Sequence, residues 1–149
     1  MQGGRSQERI PEFSQTGAAY TKSDDIGYSY VEVDLSNQHV YLIVSGKLVT
    51  DSPCVTGCVK NGHGTPDGLY SVTYKESPSV LRGEDYETKV NFWMPFNRGI
   101  GLHDATWRDE FGGDIYYSGG SHGCVNLPYQ KAAVIYENIY AGMPVICYY

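Results

Sequence analysis

Residues 28–56 form three short apolar-rich runs, separated by turns just long enough to reverse the chain. Val31, Val33 and Leu35 fall on one side of an extended backbone and Tyr30, Glu32 and Asp34 on the other, the period of a half-buried strand over residues 28–35. Ser36-Asn37-Gln38-His39 turns the chain, residues 40–44 form a second strand, Ser45-Gly46-Lys47 is a hairpin turn, and residues 48–56 return as a third. Connections this short force the strands to lie side by side and antiparallel. Further strands are expected over residues 69–76, over 89–96 with Val90, Phe92 and Met94 on one face, over 100–103 after an Asn97-Arg98-Gly99 turn, and over 144–149. One helix stands out. Ala132, Ile135, Tyr136 and Ile139 recur at i, i+3, i+4 and i+7, with Pro128 in the first turn and Gly142 as terminator. The expectation is a mainly β single domain over residues 27–149, with about six to eight strands and one helix near the C-terminus. Residues 1–26 are polar and unpatterned and read as a linker or tail. Residues 57–68, 77–88 and 108–120 read as loops. The second, with Glu84-Asp85, either walls a groove or crosses the surface.

Chemistry concentrates in Gly119-Gly120-Ser121-His122-Gly123-Cys124-Val125-Asn126. Cys124 can attack a carbonyl once its thiol is deprotonated. Gly123 lets the backbone approach a substrate closely. With Pro128 opening a helix just beyond, the thiol is expected at a loop-to-helix junction, where free N–H groups and the helix dipole favour a thiolate and an oxyanion. A base is needed, and His103 stands at a predicted strand end, with Asp104 beside it as an orienting group through its side chain or its carbonyl. The opposing reading makes Cys124 a small buried hydrophobe in a glycine-rich loop.

These residues carry a resemblance. His103, then residues 104–120, then Ser121-His122-Gly123-Cys124-Val125-Asn126 resembles the signature of the L,D-transpeptidase (YkuD-type) catalytic domain. Tyr30 to Asp34 resembles that domain's opening strand. Val55-Thr56-Gly57 with Thr65-Pro66-Asp67-Gly68 resembles its substrate-side loop. Phe92-Trp93-Met94-Pro95 and His103-Asp104-Ala105-Thr106-Trp107 resemble the Gram-positive form. The resemblance implies a fold of mixed, sandwich-like β-sheets and a peptidoglycan L,D-transpeptidase. Cys124 would attack the carbonyl before the terminal D-Ala of a tetrapeptide stem, with His103 as base and Asp104 holding its imidazole. An amine of another stem would then take the acyl group in a 3-3 cross-link. His122, Ser121, Gly123 and Asn126 would shape the loop and its oxyanion site. Backbone N–H groups around Gly123 and Cys124 would donate to the oxyanion, each worth about 10²–10³ in rate. Trp107, Tyr116, Tyr117, Met94 and Arg98 are candidate substrate contacts, although Trp107 also reads as a cap on the core and Arg98 as a solvated charge. No metal or organic cofactor is needed for acyl transfer by this route. Carbapenem β-lactams would be covalent inhibitors.

Three other functions compete. The same thioester released to water makes an L,D-carboxypeptidase. A generic Cys–His peptidase fits poorly, because residues 121–126 do not match papain or caspase signatures. A non-catalytic cell-wall binding module would tolerate loss of the chemistry, yet His103, Asp104 and Cys124 are all present.

The net charge of −6 argues against a nucleic-acid partner, which calls for a basic face. Fourteen tyrosines suit strands and half-wet surfaces, and a groove for sugar and peptide. No apolar run reaches membrane-spanning length and no signal peptide opens the sequence. The family works outside the cytoplasm, so the resemblance implies an extracytoplasmic location and an upstream signal or anchor, with Met1-Gln2-Gly3-Gly4 the start of a fragment. Four cysteines are present: Cys54, Cys58, Cys124 and Cys147. In an extended strand Cys54 and Cys58 stand about 13 Å apart, too far for a disulfide unless the chain turns tightly at Gly57. Two buried thiols are the alternative, and Cys147 reads as core. Cys54, Cys58 and His63 lack a fourth ligand at an established zinc spacing. His39 reads as a surface turn residue.

Overall fold

A computed structural model describes residues 28–149, and the expected linker over residues 1–26 lies outside them. The N-terminal runs become β1 (Tyr30–Asp34), β2 (His39–Val44) and β3 (Lys47–Pro53), in antiparallel succession. The C-terminal run, β10 (Pro144–Tyr148), pairs parallel to β1, and β4 (Gly68–Ser71) closes a five-stranded sheet in the order β3-β2-β1-β10-β4. His39, at the start of β2, meets Asp51 of β3 at 2.5 Å.

This topology corrects the half-buried reading of residues 28–35. A central strand has a sheet neighbour on both edges, and β1 is buried on both faces. Val31, Val33 and Leu35 enter the main core, while Tyr30 packs with Tyr28, Ile43 and Ile146 on the other side, where Tyr148 donates to Glu32 Oε2.

A second sheet joins β7 (Trp93–Asn97), β8 (Ile100–Asp104) and β9 (Val125–Leu127), the last pairing parallel to β8. Between the sheets lie Val33, Leu42, Met94, Leu102, Val125, Leu127 and Val145, together with Ala132, Ile135 and Ile139 from the C-terminal helix. Each such aliphatic side chain contributes roughly 1.5–3 kcal/mol on leaving water.

That helix, α2 (Tyr129–Asn138), has Pro128 as an extended cap rather than in its first turn, and it ends four residues before Gly142. Residues 108–120 are not all loop: they hold a short helix, α1 (Ile115–Gly119), so there are two helices and ten strands among the described residues. Residues 77–88 are mostly a hairpin, β5 (Ser79–Gly83) and β6 (Tyr86–Val90), turned through Glu84-Asp85. The strand expected over residues 69–76 is cut to β4, and the one over 89–96 breaks at Asn91-Phe92, where the chain leaves the hairpin for the second sheet. All four cysteines are free. Cys54, Cys58 and Cys147 are buried, the thiol alternative of the sequence reading.

Candidate active site

The register of the second sheet assembles the site. His103 on β8 stands opposite Asn126 on β9, and Leu102 opposite Val125, so Cys124, one residue ahead of β9, lies beside Gly101. Side chains alternate along strands, so Cys124 and Asn126 project to the same side of β9. Cys124 therefore sits at a loop-to-strand junction. The three residues of β9 and Pro128 separate it from α2, and the expected helix dipole at the thiol is absent.

His103 is 4% exposed. Its Nδ1 is 2.7 Å from the Asp104 carbonyl. A carbonyl only accepts, so Nδ1 carries the proton and Nε2 is the basic nitrogen. Asn126 Nδ2 lies 3.2 Å from Nε2, and Arg108 Nε donates to Asn126 Oδ1 at 2.9 Å. The donors of this Arg108–Asn126–His103 chain all point towards Nε2. The Asp104 carboxylate is occupied elsewhere: it accepts from the Asn91 N–H and Phe92 N–H, each at 2.9 Å, and from Asn91 Nδ2 at 2.8 Å. Asp104 thus orients the imidazole by its main chain and pins the break between β6 and β7 by its side chain.

Burial holds the His103 imidazole below its usual range. The carbonyl and charge of Asp104 pull it up, and Arg108 pushes it down. Burial raises the Cys124 thiol to about 11, against a hydrogen bond from the Gly101 N–H that favours the thiolate. The thiol reaches the Gly99 carbonyl at 3.5 Å. Both shifts favour the neutral forms, thiol and imidazole, over thiolate and imidazolium.

Ser121 Oγ braces the loop, accepting from the Gly123 N–H at 3.0 Å and donating to the Cys124 carbonyl at 2.6 Å. This occupies one of the two expected oxyanion donors. The Cys124 N–H has no hydrogen-bond partner among the described residues. His122 is exposed and stacks on Tyr86 at 4.8 Å between ring centroids, with His63 at 5.1 Å on its other side.

These side chains open on a cavity of about 420 Å³. His103, Trp107, Ser121, His122, Cys124 and Asn126 line it, as the sequence reading places them together. The ring of Trp107 lies 6.0 Å from that of His103 and is 53% exposed, a cavity wall rather than a core cap. The other expected substrate contacts do not reach the cavity. Met94 pairs with Leu102, not His103, and so turns into the core. Arg98 sits at the exposed β7–β8 turn, with φ of 57°. Tyr116 and Tyr117 belong to α1, and their carbonyls accept from the Val59 and Lys60 N–H groups. In their place the cavity takes Leu81, Tyr86 and Thr88 from the hairpin, and Arg108. Arg108 closes the run begun by His103-Asp104, a local signal that could have found it. Residues 81, 86 and 88 carry none, because only the hairpin brings them there. Among the described residues no three His, Cys, Asp or Glu side chains converge to hold a metal ion, and no helix is long and apolar enough to cross a membrane.

Comparison with known proteins finds relatives in sequence and in fold. Residues 28–147 match the family model described as the YkuD L,D-transpeptidase catalytic domain. The crystal structure of an Enterococcus faecium L,D-transpeptidase variant is similar at 37% identity and a TM-score of 0.77, over 83% of this chain and 50% of that one. The catalytic domain of the E. faecium L,D-transpeptidase acylated by ertapenem matches at 38% identity and a TM-score of 0.73, over 81% of this chain and 97% of that one. An L,D-transpeptidase from Mycobacterium smegmatis matches at 26% identity and a TM-score of 0.68, over 81% of this chain and 58% of that one. The chain thus spans about half the length of the longer relatives it matches. A search of curated proteins finds no match.

Proposed function

The chain belongs to the YkuD family of L,D-transpeptidase catalytic domains, and on that premise we propose that it forms 3-3 cross-links in peptidoglycan through a Cys124 thioester. The observation that carries this reading is the pairing of β8 with β9, which sets a singly oriented imidazole and a thiol on one cavity.

The reaction begins from thiol and imidazole. As Cys124 Sγ bonds to the carbonyl carbon before the terminal D-Ala, its proton passes to His103 Nε2. The imidazolium is held by the Asp104 carbonyl at Nδ1 and returns the proton to the departing amine as the C–N bond breaks. D-Ala leaves and the thioester remains. An acceptor amine then attacks. Its proton goes to Nε2 and on to sulfur, as the C–S bond breaks and the thiol is restored. Asn126 keeps Nε2 aimed between attacks, and the Cys124 N–H is the remaining donor for the oxyanion.

Bond formation at a neutral thiol calls for general-base assistance within the attack itself. Asn126 Nδ2 must therefore release the Nε2 lone pair as the thiol proton arrives, because a protonated Nε2 no longer accepts from it. β-Lactam acylation of this thiol follows the same first step, and the ertapenem acyl-enzyme of the E. faecium catalytic domain supports the inhibitor part of the reading. The proposed location is extracytoplasmic, where peptidoglycan lies.

Incubation with a disaccharide-tetrapeptide, followed by mass spectrometry of the products, tests the reading. A dimer formed with loss of one D-Ala is the expected product. A tripeptide without dimer would assign the chain to hydrolysis. No product from folded protein would sink both.

A further inference from the structure

We infer that Thr65 is a positioning residue for the oxyanion site, acting through the Gly123–Cys124 peptide; this rests on the acyl-transfer reading above. Thr65 is 1% exposed and lies in the loop after Gly57, far from the nucleophile in sequence. Its hydroxyl accepts from the Gly57 N–H at 2.9 Å and donates to the Gly123 carbonyl at 2.6 Å. Both hydrogen bonds are buried, and the hydroxyl has no freedom to rotate without leaving one of them unmade.

The consequence follows from peptide geometry. In a trans peptide the carbonyl and the following N–H point in opposite directions. Thr65 draws the Gly123 carbonyl into the protein, so the Cys124 N–H is aimed away from Thr65. Cys124 lines the cavity, and this N–H has no partner among the described residues. Gly123 has φ of +135°, a conformation that glycine enters freely, and its missing side chain leaves the adjoining peptides free to rotate. Thr65 removes that freedom. A rotated peptide would present the carbonyl oxygen where the oxyanion needs a donor.

The anchor is itself fixed. A side chain at Gly57 would lie 1.9 Å from the His63 carbonyl oxygen, so only glycine allows the loop to close and bring Thr65 back. Gly57 also bridges to Ser121, and the Cys58 N–H donates to the Ser121 carbonyl at 2.8 Å. Residues 57–65 and 121–124 are thereby one unit, with Thr65 as its central clasp.

Two reactions of the same thiol separate positioning from mere support. Acylation by a carbapenem passes through an oxyanion. Alkylation by iodoacetamide does not. Rates of both, at Cys124, are measured by intact mass and peptide mapping for the parent protein and for Thr65→Val, Thr65→Ser and Thr65→Ala. Thr65→Val is expected to slow acylation roughly 10–10²-fold, part of the 10²–10³ associated with an oxyanion donor, with alkylation within about twofold of the parent and Thr65→Ser restoring acylation. Should Thr65→Val not fold, Thr65→Ala is read by the same contrast. Equal slowing of both reactions, unchanged acylation, or failure of both variants to fold would overturn the positioning role. A parent protein that is alkylated but never acylated would instead overturn the acyl-transfer reading beneath it.

Discussion

On one side of the Cys124 cavity, His103, Asp104 and Asn126 are 4%, 1% and 1% exposed, on paired strands, with each side chain hydrogen-bonded. On the other side the β5–β6 hairpin pairs chiefly with itself, and its Val80 and Tyr86 are 37% and 38% exposed. On the proposed function the two walls divide the work. Proton transfer tolerates little misplacement, so its groups stand on strands whose register is fixed by the core. On the proposed function, recognition of a peptide needs shape and apolar contact, which the hairpin would offer through Leu81, Tyr86 and Thr88.

The largest effect that can break this division falls on the rigid wall. Replacing His103→Gln is expected to lower kcat about 10²–10⁴-fold with KM within a few-fold, in steady-state assays of the tetrapeptide. A change confined to KM would move His103 to the recognition side.

Next comes pH. With the thiol raised to about 11 and the imidazole held low, the thiolate is the minor form throughout the neutral range. Iodoacetamide alkylation of Cys124 should climb about tenfold per pH unit from pH 7 to 10. A plateau reached below pH 7 would mean a preformed thiolate–imidazolium pair instead.

A smaller effect sharpens the role of Asp104. Asp104→Asn replaces Oδ2 by an amide that faces the Asn91 amide as donor to donor. Unfolding by urea should show a loss of roughly 1–3 kcal/mol, with kcat within a few-fold, because the Asp104 carbonyl remains. Loss of activity in a folded variant would give the carboxylate a direct part in the chemistry.

The smallest effect belongs to the hairpin. Tyr86→Ala removes a cavity wall and the ring stacked on His122. It should raise KM a few-fold and leave kcat within about twofold. A fall in kcat like that of His103→Gln would erase the distinction between the walls.

The two walls also differ in how far they could be read from the sequence. His103 and Cys124 announce themselves by residue type, Asn126 only through the resemblance of residues 121–126 to the family signature, and the strand end under His103 is visible in residues 100–103. The hairpin is not, because Arg82-Gly83-Glu84-Asp85 and Glu87-Thr88-Lys89 lack the apolar face of a core strand: its strands cover a cavity, not a core. The opposite error occurs at β1, where Tyr30, Glu32 and Asp34 mimic a wet face but are buried, Tyr30 within a second cluster. Met94 was misplaced by one step of strand alternation, which the partner register decides and the single chain does not. The helix after Pro128 was expected within one residue of where it starts, but the junction at Cys124 was read as loop-to-helix, since Val125–Leu127 is too short a strand to show a period.

The most direct test is intact mass spectrometry after incubation with a carbapenem, beside Cys124→Ala. A stable single-drug adduct on the parent protein, absent from the variant, is the predicted result and requires a reactive Cys124 with a working oxyanion site. Folded parent protein that remains unmodified, or an adduct that survives Cys124→Ala, would contradict the account.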